Sequence, residues 1–239
     1  MRQVLITGGG SGIGRGIARA MADAGDAVTI AGRRMDALQE TDGGRGMTCL
    51  TCDVTDEASV NALFSRDYDV VIANAGAGKS MKMRDMPLDV FKSTVDVNLT
   101  GTFLTFRAAL QGMKRGGRLI AIASTAGLQG GPNISAYVAA KHGVIGLVRA
   151  LAQEVAREGI TCNAVCPGFV DTPMGDAAVQ GVAERFKISA EEATARITSG
   201  NPMRRMITVD EVVAAVTFLA SEGASMVNGH TLSVSGGEI

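Results

Sequence analysis

Short apolar runs rich in β-branched residues alternate with longer stretches of helical periodicity along almost the whole chain. Runs of this kind are typical of buried strands, and they predict strands over 3–7, 27–31, 48–52, 70–73, 118–123, 161–165 and 231–234. Apolar positions with the period of a helix predict helices over 14–24, 57–65, 88–112, 136–157 and 209–221. Because strands and helices alternate, the sequence predicts an α/β fold with a parallel sheet covered by helices on both faces.

The domain organisation follows from what interrupts this alternation. No internal repeat and no linker rich in proline or serine divides the chain, which predicts a single domain over residues 1–239. Residues 171–206 are the exception, because their periodicity is weak. We expect this segment to be an insertion that acts as a lid over a binding site.

Composition and charge narrow the class of protein. The 23 basic and 24 acidic side chains give a net charge of -1, whereas a protein that binds nucleic-acid phosphates is expected to carry a basic excess. No apolar stretch approaches the roughly 18 residues that a membrane-spanning helix needs, and the first apolar run is too short for a signal segment. We therefore expect a cytoplasmic globular protein that binds neither nucleic acid nor membrane.

The four cysteines form two closely spaced pairs, Cys49 with Cys52 and Cys162 with Cys166, a spacing that also occurs in zinc and redox sites. The first pair lies on a predicted strand, where residues three apart point to opposite faces of the sheet. Such a pair is poorly placed to chelate one metal ion. We expect buried, reduced thiols and no metal site.

The first predicted strand runs directly into a glycine-rich turn, TGGGSGIG, which leads into a predicted helix. Glycines allow the backbone to approach a ligand closely, and unpaired N–H groups at a helix start attract a pyrophosphate. The turn matches neither G-x-G-x-x-G nor the P-loop pattern, since its glycines stand as G-x-x-x-G-x-G, at Gly8, Gly12 and Gly14. Ser11 and Ile13 complete the candidate dinucleotide site, although glycine turns also occur for packing alone.

The end of the second predicted strand reads AGRR and bears on the choice of cofactor. A site specific for NAD places an acidic residue about 20 positions after the glycine turn, where it binds the ribose 2′-hydroxyl. Here Gly32 takes that place and Arg33 follows it. A guanidinium group can bind a 2′-phosphate through two hydrogen bonds, so the sequence favours NADP(H) over NAD(H).

Tyr137 and Lys141 stand four positions apart within a predicted helix, which places the phenol and the ammonium on one face. A free phenol has a pKa of about 10 and is a poor base at neutral pH. A neighbouring cation favours the phenolate and lowers that pKa, as general acid–base catalysis requires. A pair at this spacing also arises by chance, so it carries weight only together with other motifs.

Four further motifs follow in order, namely Asn74-Ala75-Gly76 after a strand, Asn98 in VDVNLTG, Ser124 in IAIASTAG, and Pro167-Gly168 in NAVCPGFVDTPM. With the glycine turn and the Tyr–Lys pair, they make the sequence resemble the short-chain dehydrogenase/reductase family from residue 4 to residue 237. The resemblance implies a doubly wound Rossmann fold, a nicotinamide cofactor and a homotetramer.

The resemblance also implies a role for each matching residue. Tyr137 is expected to donate a proton to the carbonyl oxygen during reduction, while Ser124 hydrogen-bonds that oxygen. Lys141 is expected to hold the nicotinamide ribose and to lower the pKa of Tyr137, and Asn98 to position a water next to Lys141. Besides Tyr137 and Lys141, the cofactor contacts implied in this way are Asp53, Val54, Asn74, Ala75, Gly76, Pro167, Gly168, Val170 and Thr172.

Three functional hypotheses remain open at this point. The leading one is an NADP(H)-dependent reductase that converts a carbonyl to a secondary alcohol, since the segments AGRR and NAVCPGFVDTPM most resemble 3-oxoacyl thioester reductases, including polyketide-type ketoreductases. The second is an NAD(P)-dependent dehydrogenase that oxidises a hydroxyacyl or cyclic alcohol substrate. The third is a nucleotide-binding protein without activity, which the complete set of four catalytic residues disfavours.

Two features bear on the substrate. Met174, Phe186 and Met203 of the expected lid could line an apolar acyl channel, although ordinary packing explains them too. Lys114 and Arg115 could receive a phosphopantetheine group or a carrier protein, but a solvated turn is the simpler interpretation. The substrate is expected to be a small carbonyl compound or acyl thioester.

Overall fold

The computed structural model describes residues 1–239 and contains one sheet of seven strands. The strands are β1 (Gln3–Thr7), β2 (Ala27–Gly32), β3 (Thr48–Thr51), β4 (Val70–Ala73), β5 (Arg118–Ile122), β6 (Thr161–Pro167) and β7 (Thr231–Val234). Every neighbouring pair is parallel, and the order across the sheet is β3-β2-β1-β4-β5-β6-β7. The predicted seven-stranded parallel sheet with Rossmann topology is confirmed.

Nine α-helices connect the strands. They are α1 (Gly12–Asp23), α2 (Met35–Asp42), α3 (Glu57–Leu63), α4 (Leu88–Val95), α5 (Gly101–Ala109), α6 (Ser135–Val155), α7 (Pro173–Phe186), α8 (Ala190–Ile197) and α9 (Val209–Ala220). A π-helical turn at Asp96–Thr100 joins α4 to α5. None of the helices combines the length and the hydropathy that crossing a lipid bilayer requires.

The sequence pattern missed three short or weakly buried helices and one irregularity. The helix α2 has eight residues, of which only Ala37, Leu38 and Thr41 are buried, so it shows no clear apolar period. The two helices of segment 171–206, α7 and α8, bury still fewer side chains against the rest of the protein. The predicted helix 88–112 is interrupted by the π-helical turn, which an apolar period does not reveal.

Two apolar clusters lie on opposite faces of the sheet, because successive side chains of a strand point to alternate faces. On one face, Leu5 of β1 belongs to a cluster with Phe106 of α5. On the other face, Ile6 of β1 belongs to a cluster with Ile17 of α1 and Val216 of α9. Burial of each such side chain contributes about 1.5–3 kcal/mol. The sheet is therefore covered on both faces, as the sequence predicts.

The strand order creates a crevice at the carboxyl ends of the strands. The chain passes from β1 to β2 on one side, whereas β4 lies on the other side of β1. Connections therefore diverge above the carboxyl ends of β1 and β4, and open α/β sheets bind their ligands in such a crevice. The glycine turn follows β1 and Asn74 follows β4, so both stand at this edge.

The cysteines test the predicted orientation of the third strand. Cys49 packs against the cluster of one face and Cys52 belongs to the cluster of the other, which confirms that they point in opposite directions. All four thiols are free, and Cys52, Cys162 and Cys166 are buried. Cys49 is only half-buried, contrary to the expectation, because β3 is the outermost strand. The chain holds no group of three or more His, Cys, Asp or Glu side chains placed for a metal ion.

Candidate active site

The turn after β1 has a backbone path that only glycine follows without strain. Gly8 and Gly12 adopt positive φ angles of 67° and 50°, in the left-handed region. A β-carbon added to Gly14 would lie 2.3 Å from the carbonyl oxygen of Gly8. The turn is thus folded back tightly on itself, and its outer surface consists of backbone atoms.

The start of α1 presents free hydrogen-bond donors at this turn. The amides of Gly12, Ile13 and Gly14 have no backbone acceptor, as is usual in the first turn of a helix. The Ser11 side chain makes no capping hydrogen bond, and the first turn of α1 holds no acidic residue. The helix dipole adds a partial positive charge here, so the four residues together favour an anionic group such as a pyrophosphate.

Asn74 fastens the glycine turn to the end of β4. Its side-chain amide donates to the carbonyl oxygens of Thr7, at 3.0 Å, and Gly8, at 3.1 Å. The backbone amides of Asn74 and Ala75 both donate to the Thr7 hydroxyl, at 3.1 and 3.2 Å. Thr7 is 1% exposed and was missed at the sequence level, although a threonine at the end of a strand just before a glycine turn is a readable signal. Hydrogen bonds therefore join the glycine turn to the end of β4 at the base of the crevice.

Arg33 and Asp53 stand at the ends of neighbouring strands on the β3 side of the crevice. Arg33 is exposed and makes neither an ion pair nor a hydrogen bond. Asp53 accepts from the amide and hydroxyl of Thr55, which lowers its pKa and keeps it charged. The adjacent Val54 is buried, and a β-carbon on Gly101 would lie 2.8 Å from its Cγ2 atom. An unpaired cation and a charged acceptor thus flank this end of the crevice.

Tyr137 and Lys141 lie on one face in the first two turns of α6. The Lys141 ammonium is 5.5 Å from the centroid of the Tyr137 ring. Lys141 is 4% exposed and donates one hydrogen bond, of 2.8 Å, to the carbonyl oxygen of Ile122 at the end of β5. Burial lowers the pKa of Lys141 to about 8. The sequence predicted the shared face but not the role of Ile122, because a backbone carbonyl leaves no trace in the sequence.

Ser124 completes the group at the end of β5. Its hydroxyl accepts from the Ala126 amide at 3.1 Å and begins a short 3₁₀ turn. Burial raises the pKa of Tyr137, and the Ser124 side chain opposes this by a smaller effect. Burial of the phenolate is the largest cause and Lys141 is not among the groups that shift this pKa, so the expected lowering by Lys141 is not seen. The phenol is therefore protonated at neutral pH.

Asn98 lies in the π-helical turn between α4 and α5 and is completely buried. Its side-chain amide donates to the carbonyl oxygens of Ala77, at 2.6 Å, and Thr94, at 2.8 Å. Its Oδ1 atom accepts no hydrogen bond from the protein. A β-carbon on Gly76 would lie 2.8 Å from this oxygen and 3.6 Å from the Lys141 ammonium, so both line one small space. The π-helical turn, with its extra residue, aims Asn98 at that space.

The chain after β6 crosses the mouth of the crevice. Pro167 ends the strand, Gly168 follows it, and Val170 pairs with Ile207 in a parallel bridge. Thr172 caps α7 by accepting from the Gly175 amide, and its Cγ2 atom would lie 3.2 Å from a β-carbon on Gly12. These residues therefore face the glycine turn from the opposite side of the crevice.

Two expectations about the substrate have different outcomes. Met174 and Met203 remain largely exposed, at 53% and 59%, so ordinary packing does not account for them. Phe186 is 42% exposed, and the Arg196 guanidinium packs on its ring, 3.8 Å from the centroid. Lys114 forms an ion pair with Asp67 at 3.1 Å in the turn before β5, at the opposite edge of the sheet from the crevice. Arg115, beside it, donates to a backbone carbonyl. A role of this turn in receiving the substrate is therefore not supported.

Comparisons with known proteins place this geometry in a family. The family model described as enoyl-(acyl carrier protein) reductase matches residues 8–238. A protein assigned as ketoacyl reductase 1 of the granaticin polyketide synthase from Streptomyces violaceoruber is 37% identical over 248 aligned positions, with 98% of this chain and 91% of that protein covered.

Two further relatives differ in the activity that they are named for. The D-beta-hydroxybutyrate dehydrogenase of Rhizobium meliloti is 34% identical over 252 aligned positions, with 99% of this chain and 98% of that protein covered. A crystal structure of an actinorhodin polyketide ketoreductase variant with NADPH has a TM-score of 0.93 at 34% identity and covers 99% of this chain and 97% of that chain. The chain belongs to the short-chain dehydrogenase/reductase family, whose members are nicotinamide-dependent oxidoreductases.

Proposed function

We propose that the protein is an NADP(H)-dependent reductase that converts 3-oxoacyl thioesters to secondary alcohols. The observation that carries this proposal is the group formed by Tyr137, Lys141 and Ser124 at the carboxyl edge of the sheet, beside a turn built to bind an anion. The group contains a proton donor, a buried cation and a hydroxyl, which is what reduction of a carbonyl requires from a protein.

The crevice fits a nicotinamide dinucleotide in three respects. The left-handed glycines keep the turn free of side chains, the first amides of α1 are unpaired, and the buried Asn98 Oδ1 lacks a donor. Residues that would hold the cofactor are Gly8, Ser11, Gly12, Ile13, Gly14, Arg33, Asp53, Val54, Asn74, Ala75, Gly76, Tyr137, Lys141, Pro167, Gly168, Val170 and Thr172. When bound, the nicotinamide supplies the hydride that reduces the carbonyl carbon.

The residues of this chain perform the proton transfer and stabilise the developing charge. Tyr137 donates its proton to the carbonyl oxygen as negative charge develops there. Ser124 donates a hydrogen bond to the same oxygen and so stabilises that charge. A raised pKa keeps Tyr137 protonated at neutral pH, which is the form that donates a proton during reduction.

Lys141 and Asn98 help to return a proton to Tyr137 after it has donated its own. The ammonium of Lys141 lies beside the ring of Tyr137, where it would hold the ribose of the cofactor. The Oδ1 atom of Asn98 has no partner in the protein and would accept from a water that connects Lys141 to solvent. Because the pKa of Lys141 is about 8, this group can release and regain a proton near neutral pH.

The choice of NADP(H) rests on the end of β2. Neither Gly32 nor Arg33 offers the carboxylate that an NAD site uses for the 2′-hydroxyl, and the Arg33 guanidinium is free to bind a 2′-phosphate. The related actinorhodin ketoreductase structure contains NADPH. Both observations support the same cofactor.

Two observations bear on the substrate. The relative from the granaticin pathway is named for ketoacyl reduction, and exposed Met174, Phe186 and Met203 offer an apolar surface for an acyl chain. The alternative, a dehydrogenase that oxidises a hydroxyacyl substrate, is supported by the relative named for hydroxybutyrate. A substrate with a 3-oxoacyl or 3-hydroxyacyl group accommodates both relatives.

The proposal extends to the organisation of the protein. Residues 1–239 form a single domain in which 171–206 is a lid, since the Val170–Ile207 bridge ties the two ends of that segment together. Such an anchored segment can move as a unit over a substrate. Four free thiols, three of them buried, are typical of a reducing compartment and support a cytoplasmic location.

We further propose a homotetramer. Phe103 on α5 is 42% exposed, Phe218 on α9 is 48% exposed, and Met226 in the segment between α9 and β7 is 93% exposed. In an oligomer with two-fold symmetry, the same apolar surface of two subunits is buried at their shared interface. Two separate apolar surfaces are what a tetramer with two kinds of interface needs.

The first prediction concerns Tyr137. Replacing Tyr137 by Phe should lower the rate of NADPH consumption with a 3-oxoacyl thioester by about 10²- to 10⁴-fold, because the proton donor is lost. Binding of NADPH, measured by calorimetry, should persist. Tyr68→Phe is the matched control, since the Tyr68 hydroxyl bonds only the Leu63 carbonyl, away from the crevice. Equal rates for Tyr137→Phe and the wild type would remove Tyr137 from the mechanism, and no turnover by the wild type would support the non-catalytic hypothesis.

The second prediction concerns the cofactor. Replacing Arg33 by Ala should weaken NADPH binding by about 10- to 100-fold, because a charge-assisted hydrogen bond is lost, and should leave NADH binding nearly unchanged. Dissociation constants for both nucleotides measure the effect. Arg66→Ala, an exposed arginine that precedes β4 at the other edge of the sheet, should change neither constant. An unaltered preference in Arg33→Ala would contradict the assignment.

The third prediction concerns the buried ammonium. Burial lowers the native pKa of Lys141 from 10.5 to about 8, so between these values the unfolded state binds more protons and stability rises with pH. Relative to Lys141→Met, the wild type should gain about 2 kcal/mol in its free energy of unfolding between pH 7 and 9.5. Denaturant unfolding of both proteins at several pH values measures this. A difference that stays constant with pH would mean that Lys141 titrates normally.

The fourth prediction concerns assembly. Light scattering should give the mass of four chains for the wild type. A charge placed in an apolar interface should dissociate the tetramer, so Phe103→Glu should reduce the mass to that of two chains or one. Met83→Glu is the control, because Met83 is 72% exposed but lies in the loop beside the crevice. A monomeric wild type would refute the tetramer.

A further inference from the structure

The segment after β7 turns back toward the end of the segment 171–206. Gly236 and Gly237 have positive φ angles of 62° and 89°, which reverse the direction of the chain. Gly236 lies against the side chain of Asn201, and Gly237 lies against Pro202, both at the returning end of the lid segment. This turn brings the side chain of Glu238 to the carboxyl edge of the sheet.

Glu238 joins three separate parts of the crevice wall. Its Oε1 atom accepts from the Gln129 side-chain amide at 2.8 Å. Its Oε2 atom would lie 2.9 Å from a β-carbon on Gly168, and its Cγ atom 3.8 Å from a β-carbon on Gly200. Gln129 follows Ser124 by five positions in the same loop, and Gly168 directly follows Pro167 at the end of β6. The carboxylate therefore stands where the loop after Ser124, the end of β6 and the segment 171–206 meet.

The charge of Glu238 is not neutralised by the protein. No lysine or arginine forms an ion pair with it, and its one hydrogen-bond donor is the neutral amide of Gln129. The side chain is half-buried, so solvent screens its charge only in part. A second carboxylate that enters this region is repelled, whereas an uncharged ester or thioester is not.

We propose that Glu238 is a specificity-determining residue that selects uncharged 3-oxoacyl esters and thioesters over free 3-oxo carboxylates. This inference rests on the function proposed above and narrows its substrate class. Discrimination arises from repulsion of the wrong substrate rather than from an extra contact to the right one. This discrimination distinguishes the protein from an enzyme that acts on a free hydroxy acid, although both enzymes catalyse the same reaction at the carbonyl carbon.

The test compares acetoacetate with methyl acetoacetate, which differ by one negative charge and one methyl group, with NADPH as the reductant. Glu238→Gln keeps the shape of the side chain and an oxygen that accepts from Gln129, but removes the charge. The kcat/KM for acetoacetate should rise about tenfold in this variant, while that for the methyl ester should stay within about threefold of the wild type. An unchanged ratio of the two values would overturn the proposal.

Glu154→Gln is the matched control. Glu154 is an exposed carboxylate on the same helix as Tyr137 but 17 positions further along, which places it about 25 Å away at the other end of α6. This variant should leave the ratio of the two kcat/KM values unaltered. A change equal to that of Glu238→Gln would show that the ratio reports overall charge and would also overturn the proposal.

The wild type provides a second measurement that does not depend on a variant. Raising the salt concentration from about 0.02 to about 0.5 M should increase kcat/KM for acetoacetate relative to the ester, because salt screens a partly exposed charge. A ratio independent of salt would count against repulsion by Glu238. Failure of the wild type to reduce an acetoacetyl thioester would refute the proposed function itself. Reduction of that thioester together with an unchanged ratio in Glu238→Gln, or with no reduction of the methyl ester, refutes only the role of Glu238.

Discussion

A positive charge buried at the carboxyl edge of the sheet is the constraint on which the site depends. The Lys141 ammonium has one hydrogen-bond partner, the Ile122 carbonyl, and its pKa falls to about 8 because solvation is lost. An isolated buried cation destabilises a protein unless its surroundings hold it in place. Here β5 supplies the carbonyl and α6 supplies the lysine, and both elements pack into the same apolar cluster. The rigid contact between strand and helix therefore fixes the distance between the ammonium and the Tyr137 ring.

The two ends of the crevice present different groups, backbone amides at one end and side chains at the other. At the cofactor end, the turn after β1 offers backbone amides, and Asn74 and Thr7 hold that turn by hydrogen bonds to backbone atoms. Such a site recognises a phosphate by geometry and needs few particular side chains. Elsewhere in the crevice, side chains from the loop after Ser124, the segment 171–206 and the turn after β7 meet. The cofactor end is therefore the part of the site that motifs describe well.

This division explains how much the sequence predicts. Seven strands are predicted correctly because a sheet covered on both faces produces continuous apolar runs. The helix α2 and the two lid helices are missed because they bury too few side chains to show a period. The four positions proposed for catalysis are found through a resemblance, but the raised pKa of Tyr137 is not, since burial is a property of the folded chain. Likewise, nothing in the sequence indicates that a π-helical turn aims Asn98 at Lys141.

The substrate is the property that the sequence predicts least well, and the contact between Gln129 and Glu238 shows why. These residues are 109 positions apart, and neither belongs to a motif that the chain shares with the family. They meet because Gly236 and Gly237 turn the chain back toward the lid segment, where Asn201 and Pro202 receive it. A charge placed in this way alters the preference for a substrate and leaves the proton donor and the cofactor turn untouched. Relatives that share the catalytic group can therefore differ in the acyl compounds that they accept, because the selective side chains come from segments that only the fold brings together.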